Sequence, residues 1–249
     1  MKRSIPNLLL ALAMLAVATA GQAQDSQDPE QPFIPQDPSR FIEGRMWIGA
    51  SVPDARSNFW DDNFQNYKAS RGQLTGSAFG GDSIRHFDRH NALMISAGFS
   101  WSSANEPARY VLDENGNPLE HHLDLDTFSL TAAYLFYPAG TEHRVIPYLG
   151  AGAGFYMGEL RAYRSSFVTD DCDEDGDCTI EFIDKQDSFF LTVGYFAVAG
   201  LEVPVSSHAA ILLDGRYTVA HANLGSDFVD NRNLDLSGGQ YAMGVAIHF

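Results

Sequence analysis

The feature that most constrains this chain is a period of two in its hydrophobicity. From Tyr241 to Phe249 the residues Tyr241, Met243, Val245, Ile247 and Phe249 alternate with Ala242, Gly244, Ala246 and His248. Successive side chains of an extended strand point to opposite faces, so this run reads as a strand with one bulky and one small face. Seven further runs are strand-like, at about 41–53, 71–86, 91–104, 122–137, 144–160, 187–204 and 208–221, with the terminal one at about 236–249. Leu93, Ile95, Ala97, Phe99 and Trp101 share one face, as do Phe128, Leu130, Ala132, Tyr134 and Phe136. Leu149, Ala151, Ala153, Phe155 and Met157 stand opposite Tyr148, Gly150, Gly152, Gly154 and Tyr156. Phe189, Leu191, Val193 and Tyr195 oppose Thr192 and Gly194, and Ile211, Leu213, Tyr217 and Val219 oppose Asp214, Arg216 and Thr218. The run at 71–86 is glycine-rich, and its register is not readable.

Three connections are short, around Phe87–Arg89, Pro138–Glu142 and Pro204–Ser207. Four are long, at about 54–70, 105–121, 161–186 and 222–235. Such sorting is what an antiparallel up-and-down arrangement produces, with turns at one end and loops at the other. The expected fold is therefore all-β, an eight-stranded antiparallel up-and-down barrel.

Alternation alone does not say which face points outward. An interior of eight strands is just wide enough for side chains or one small ligand. Rows of Phe, Tyr, Trp, Leu and Met would overfill it, whereas Gly, Ala, Ser and Thr fit. The bulky rows are thus expected to face lipid, in a closed barrel that satisfies its backbone hydrogen bonds within hydrocarbon. Trp47, Trp101, Tyr137 and Phe249, near strand ends, suit interfacial girdles, although the parity of Trp47 puts it on the inner face.

The start of the chain fits an exported protein. Lys2 and Arg3 precede the uncharged run Leu8–Val17, and small residues follow through Ala18, Ala20, Gly21 and Ala23. This is the pattern of a secretory signal peptide over 1–23, and the apolar run is too short to span a bilayer. Residues 24–40 hold four prolines and no periodicity, which reads as a disordered leader. Residues 41–249 form one barrel domain. Removing Lys2 and Arg3 without any acid takes the net charge from −16 to −18. That balance argues against nucleic acid, whose binding rests on neutralising phosphates with Lys and Arg. The exported compartment is oxidising, so Cys172 and Cys178 are expected to form a short-range disulfide.

The terminal Tyr241–Phe249 strand resembles the C-terminal strand of small bacterial outer-membrane β-barrels of the OmpA-like and opacity types. Pro147–Phe155, with glycines at 150, 152 and 154, looks like their fifth-strand glycine motif, and Leu234–Gly239 leading into the last strand looks like the same family. The resemblance covers about 41–249. It implies an outer-membrane location and lipid and lipopolysaccharide as neighbours. It also implies that Tyr241, Met243, Val245, Ile247 and Phe249 are a signal read by the barrel-assembly machinery. With no domain after Phe249, a cell-wall anchoring role of the full-length OmpA-like kind is not expected.

Inner parity collects Glu43, Arg45, Glu202, Asp214 and Arg216. Lone charges in a narrow interior are costly, so these are expected to pair and plug the lumen. Asp171, Asp173, Asp175, Gly176 and Asp177 match the opening of a D-x-D-x-D-G calcium loop. Position twelve is Phe182 rather than Glu, so this is not an EF-hand; either the loop takes calcium or it is a solvated acidic tip. His221–Ala222–Asn223 is similar to the His-Ser-Asn of barrel lipid A deacylases, with Ala222 at the nucleophile position, which disfavours hydrolysis. His121 and His122 read as loop surface. The leading functional expectation is a non-enzymatic barrel that anchors in the outer membrane and presents acidic loops to cations, lipopolysaccharide or another surface. A narrow channel for small solutes is the alternative, and a lipid A-modifying enzyme comes last.

Overall fold

A computed structural model describes residues 42–68, 70–112, 118–164, 167–172, 178–182, 185–206, 208–224 and 233–249. The expected signal peptide and leader, and Asp173, Asp175 and Asp177 of the expected calcium loop, lie outside these residues.

Eight long strands form the wall: β1 (Ile42–Pro53), β2 (Gly76–His86), β3 (Asn91–Leu112), β4 (Pro118–Phe136), β5 (Ile146–Arg164), β8 (Lys185–Pro204), β9 (Ala209–Asn223) and β11 (Gly238–His248). Three shorter strands are β6 (Phe167–Cys172), β7 (Cys178–Phe182) and β10 (Asn233–Asp235). Every neighbouring pair in the wall is antiparallel, in the order β1-β2-β3-β4-β5-β8-β9-β11. The last strand returns to the first, from Glu43 opposite His248 to Pro53 opposite Gly238. The barrel is therefore closed and exposes no wall edge. β10 extends one edge of β9, with Asp235 opposite His221. β6 and β7 form a separate hairpin in which Cys172 stands opposite Cys178. The expected disulfide concerns side chains outside those described.

The expected run at 71–86 is shorter in the structure. Arg71–Leu74 is a 3-10 turn, and the strand starts at Gly76. The expected loop at 105–121 is mostly wall: β3 and β4 continue past the membrane zone and pair as far as Leu112 opposite Pro118. The expected loop at 54–70 contains a helix, α1 (Asn58–Asn66). Phe59, Trp60, Asn63 and Phe64 recur along one side of it, as an amphipathic helix requires.

Wall strands of 19–22 residues in β3, β4, β5 and β8 exceed the roughly 9–11 that a tilted strand needs to cross a bilayer. β1, β2 and β11 have 11–12. One side of the barrel thus stands taller at the loop end, and α1 and β10 lie at that same end.

Candidate functional site

Two layers of charge cross the lumen. In the first, nearer the turns, Arg45 donates through Nε to Glu43. Through Nη2 it donates to Glu202 at 2.9 Å and to the Tyr137 hydroxyl at 3.3 Å. Its guanidinium lies 4.5 Å from the centre of the Tyr148 ring, a cation–π contact. His86 Nε2 is 3.2 Å from Glu43, and His248 Nε2 is 2.8 Å from Glu202. In the second layer Arg216 Nη2 reaches Asp82 at 2.7 Å and Asp214 at 3.0 Å. Ser96 Oγ accepts from Arg216 Nη1 at 2.8 Å and donates to Asp82 at 2.6 Å. Trp47 Nε1 donates to Asp82 at 3.0 Å. All of these charged groups are buried.

Geometry brings together Glu43, Arg45 and Glu202 in one layer and Asp214 and Arg216 in the other. Sequence reasoning missed Asp82, His86, Ser96, Tyr137 and Tyr148. Parity in the glycine-rich β2 could not assign Asp82 and His86, and Tyr137 was expected at a girdle. Its ring instead lies inside, 5.1 Å from His86 and 5.9 Å from Tyr148, because the buried–exposed alternation of β4 continues one residue past the outward Phe136. Trp47 is also inside. Its indole lies on the bare backbone of Gly80 and Gly98, where an added Cβ would meet the ring at 2.3 and 3.0 Å. Tyr148 lies over Gly200 in the same way. The lumen is thus not lined by small residues alone; glycines on one strand make room for rings from another.

Glu43, Glu202 and His248 have donor atoms within 4.8 Å of one another. They do not suit a metal, because Arg45 already bridges the two carboxylates where a cation would sit.

The loop end is closed by an apolar cluster. Phe59 and Trp60 of α1 pack with Leu74, Leu123, Leu160, Phe190, Leu224 and Leu234. Trp60 Nε1 donates to the Asp235 carbonyl at 3.1 Å. The Asp235 carboxylate accepts the backbone N–H of Arg56 at 3.0 Å and of Ser237 at 2.9 Å. His121 is not loop surface: it is buried on β4 and stacks on Tyr67 at 4.2 Å. Ala222 is buried in this end, while His221 faces outward with Nδ1 3.4 Å from Asp235.

Outside, the opposite pattern holds. Ile48, Leu93, Ile95, Leu130, Leu149, Phe155, Val193, Ile211, Leu213 and Met243 are all exposed, and Leu191 and Tyr195 are 61% and 69% exposed. Their inward neighbours Met94, Ser96, Thr131, Phe196 and Ala242 are buried. A continuous apolar belt around a closed ladder, with charge sealed inside, is the surface of a protein immersed in hydrocarbon. The chain is a membrane-spanning β-barrel of the outer-membrane type. Within the described residues of this barrel no helix is long and apolar enough to cross a membrane.

No protein-family model matches the sequence, and no curated protein sequence does so either. Among solved structures the barrel is similar to the outer membrane protein OprG from Pseudomonas aeruginosa, at 16% identity and a TM-score of 0.47, over 84% of this chain and 95% of that one. It is similar to Neisserial surface protein A at 15% identity and a TM-score of 0.48, over 84% and 97%. It is also similar to Ail, the attachment invasion locus protein of Yersinia pestis, in complex with the heparin analogue sucrose octasulfate, at 13% identity and a TM-score of 0.43, over 84% and 99%.

Proposed function

We infer that this barrel is an integral protein of the outer membrane that anchors by its belt and presents its long, acidic loop end to the outside, without carrying out a reaction. The observation that supports this most is the lumen. Two ion-paired layers and an apolar mouth cluster stand in series across it. An eight-stranded interior so filled has no room for a porin-type water column. What remains for contact with the surroundings is the raised wall of β3, β4, β5 and β8. On its outer face, beyond the belt, Asp126 and Glu159 flank Arg161, and Asp124 lies 3.1 Å from His122. Lipopolysaccharide and the cations bridging its phosphates are the partners this acidic collar fits. The Asp171–Asp177 loop is proposed as the calcium-binding tip, with the Cys172–Cys178 bond holding it. The signal peptide over 1–23 and delivery of the β11 strand to the barrel-assembly machinery belong to the same reading.

Single-channel recording on protein folded into planar bilayers tests it. The expected outcome is no porin-type conductance. Steady steps of current that persist at neutral pH would favour the alternative reading of a narrow channel. Protease shaving of intact cells should cleave within 161–186.

A further inference from the structure

Between the Asp82–Arg216–Asp214 layer and the mouth cluster the lumen opens into a cavity of about 80 Å³. Trp47 lines it beside the charged layer, and Leu74, Leu125 and Leu236 line it beside the mouth cluster. Ser100, Ser129, Thr218 and Gln240 line its sides. We propose that this cavity is a binding site for a small uncharged polyhydroxyl solute, of the size of glycerol or a four-carbon polyol.

Charge sets the class of ligand. Among the described residues no cationic side chain lines the cavity, so an anion finds no partner there. The one carboxylate in the lining, Asp235, already accepts two backbone N–H groups, which leaves little to hold a cation. The remaining polar lining is hydroxyl and amide, groups that donate and accept without charge. Gln240 adds a directional demand. Its Nε2 is buried and has no hydrogen-bond partner among the described residues, a state that is costly unless an acceptor reaches it. A ligand hydroxyl meets that demand and can donate onward to a serine. The indole of Trp47 lies against Gly80 and Gly98 and carries the Arg216 guanidinium 4.9 Å from its centre, so the part of it that borders the cavity offers an apolar edge to the C–H side of such a molecule. Room is adequate: a single water needs roughly 10–15 Å³ of such volume, so the space exceeds one water several-fold. Ser51, Ser102, Thr127 and Tyr156 add further hydroxyl-bearing residues to the lining, and convergent polar groups that fix orientation are what a small-molecule site uses for specificity.

The test uses the full chain, folded in detergent micelles and carrying ¹⁵N-labelled tryptophan, titrated with erythritol. The Trp47 indole N–H signal, assigned by its loss in Trp47→Phe, is expected to shift saturably and by more than that of Trp101, which borders the cavity but exposes its ring on the outer face. Sulfate and choline at the same concentrations are expected to move neither signal. Ser100→Leu, which fills the cavity, and Gln240→Leu, which removes the unpaired amide, are expected to weaken erythritol binding at least five-fold in saturation-transfer measurements. A Trp47 signal that does not move, or that moves equally with sulfate or choline, would overturn the proposal. So would equal saturation transfer to wild type and to folded Ser100→Leu. The titration itself is read on the wild-type chain, so a failure of either leucine substitution to fold leaves the proposal open to refutation.

Discussion

Arg216 holds two carboxylates at once, so its removal strands both. Breaking a buried ion pair from one side costs about 3–5 kcal/mol, because the partner charge is left without compensation. Arg216→Leu is therefore expected to lower the urea midpoint of unfolding in lipid vesicles by an amount in that range, and Asp82→Asn with Asp214→Asn in the same chain is expected to restore much of it. Equal stability of Arg216→Leu and wild type would show that the layer contributes nothing. A second residue-scale prediction concerns Gly80. A side chain there meets the Trp47 ring, and overpacking of this kind costs about 1–3 kcal/mol. Gly80→Val should destabilise the barrel, and its cost together with Trp47→Ala should be less than the sum of the two single costs, because the double variant lacks the clash with the ring. Inner parity was enough to mark Glu43, Arg45, Glu202, Asp214 and Arg216, since alternation is strong in β1, β8 and β9. It was not enough for Asp82. Gly80 and Gly81 precede it, and a glycine pair erases the bulky–small contrast on which parity depends. Those same glycines are what admit Trp47.

At the scale of elements, α1 and the turn before β3 carry different kinds of stability. α1 is held by Phe59 and Trp60, both almost wholly buried. Trp60→Ala should cost about 3–5 kcal/mol and should speed hydrogen exchange in α1 and β10 before the membrane-spanning part of β9. Uniform protection in that variant would mean that the helix is not docked through this ring. The turn is held by a carboxylate instead. Asp88 accepts the His90 backbone N–H at 2.7 Å and the Asn91 side-chain amide at 2.7 and 2.9 Å. The Asn91 bond, then the His90 bond, holds the Asp88 carboxyl below the usual carboxylate value. A depressed folded value means that its contribution is present above the unfolded value of about 3.9 and lost as pH falls through the folded one. An NMR titration of Asp88 should find a midpoint below that of a model peptide; one at or above it would contradict the assigned bonds. The helix was hidden in the sequence because it is short and sits between strand runs, where period two says nothing. The extension of β3 and β4 through 105–121 was hidden because the sequence turns polar there, at Asn105, Glu106 and Glu120, which makes strand look like loop.

For the whole molecule, the order of environments is lipid, wall, and a lumen divided into two charged layers, a cavity and an apolar plug. The sequence revealed the barrel because closure and lipid both force alternation on every strand. It did not reveal the plug, which depends on residues brought together from α1, β4, β5, β8, β9 and β10 by tertiary packing. Placing a cation on the lipid side at mid-depth is expected to cost about 2–4 kcal/mol, so Leu191→Arg should fold into vesicles far less well than Leu191→Ala. The most direct measurement is a nitroxide scan of β8. Labels would be placed singly from Phe189 to Phe196 in a variant lacking Cys172 and Cys178, and their relaxation read with oxygen, which dissolves in the bilayer, and with a water-soluble nickel chelate. The account predicts oxygen contact that peaks at 189, 191, 193 and 195 and dips at the positions between, with little nickel contact at any. The reverse phase, with oxygen reaching 190, 192, 194 and 196 and the nickel chelate reaching the others, would contradict it.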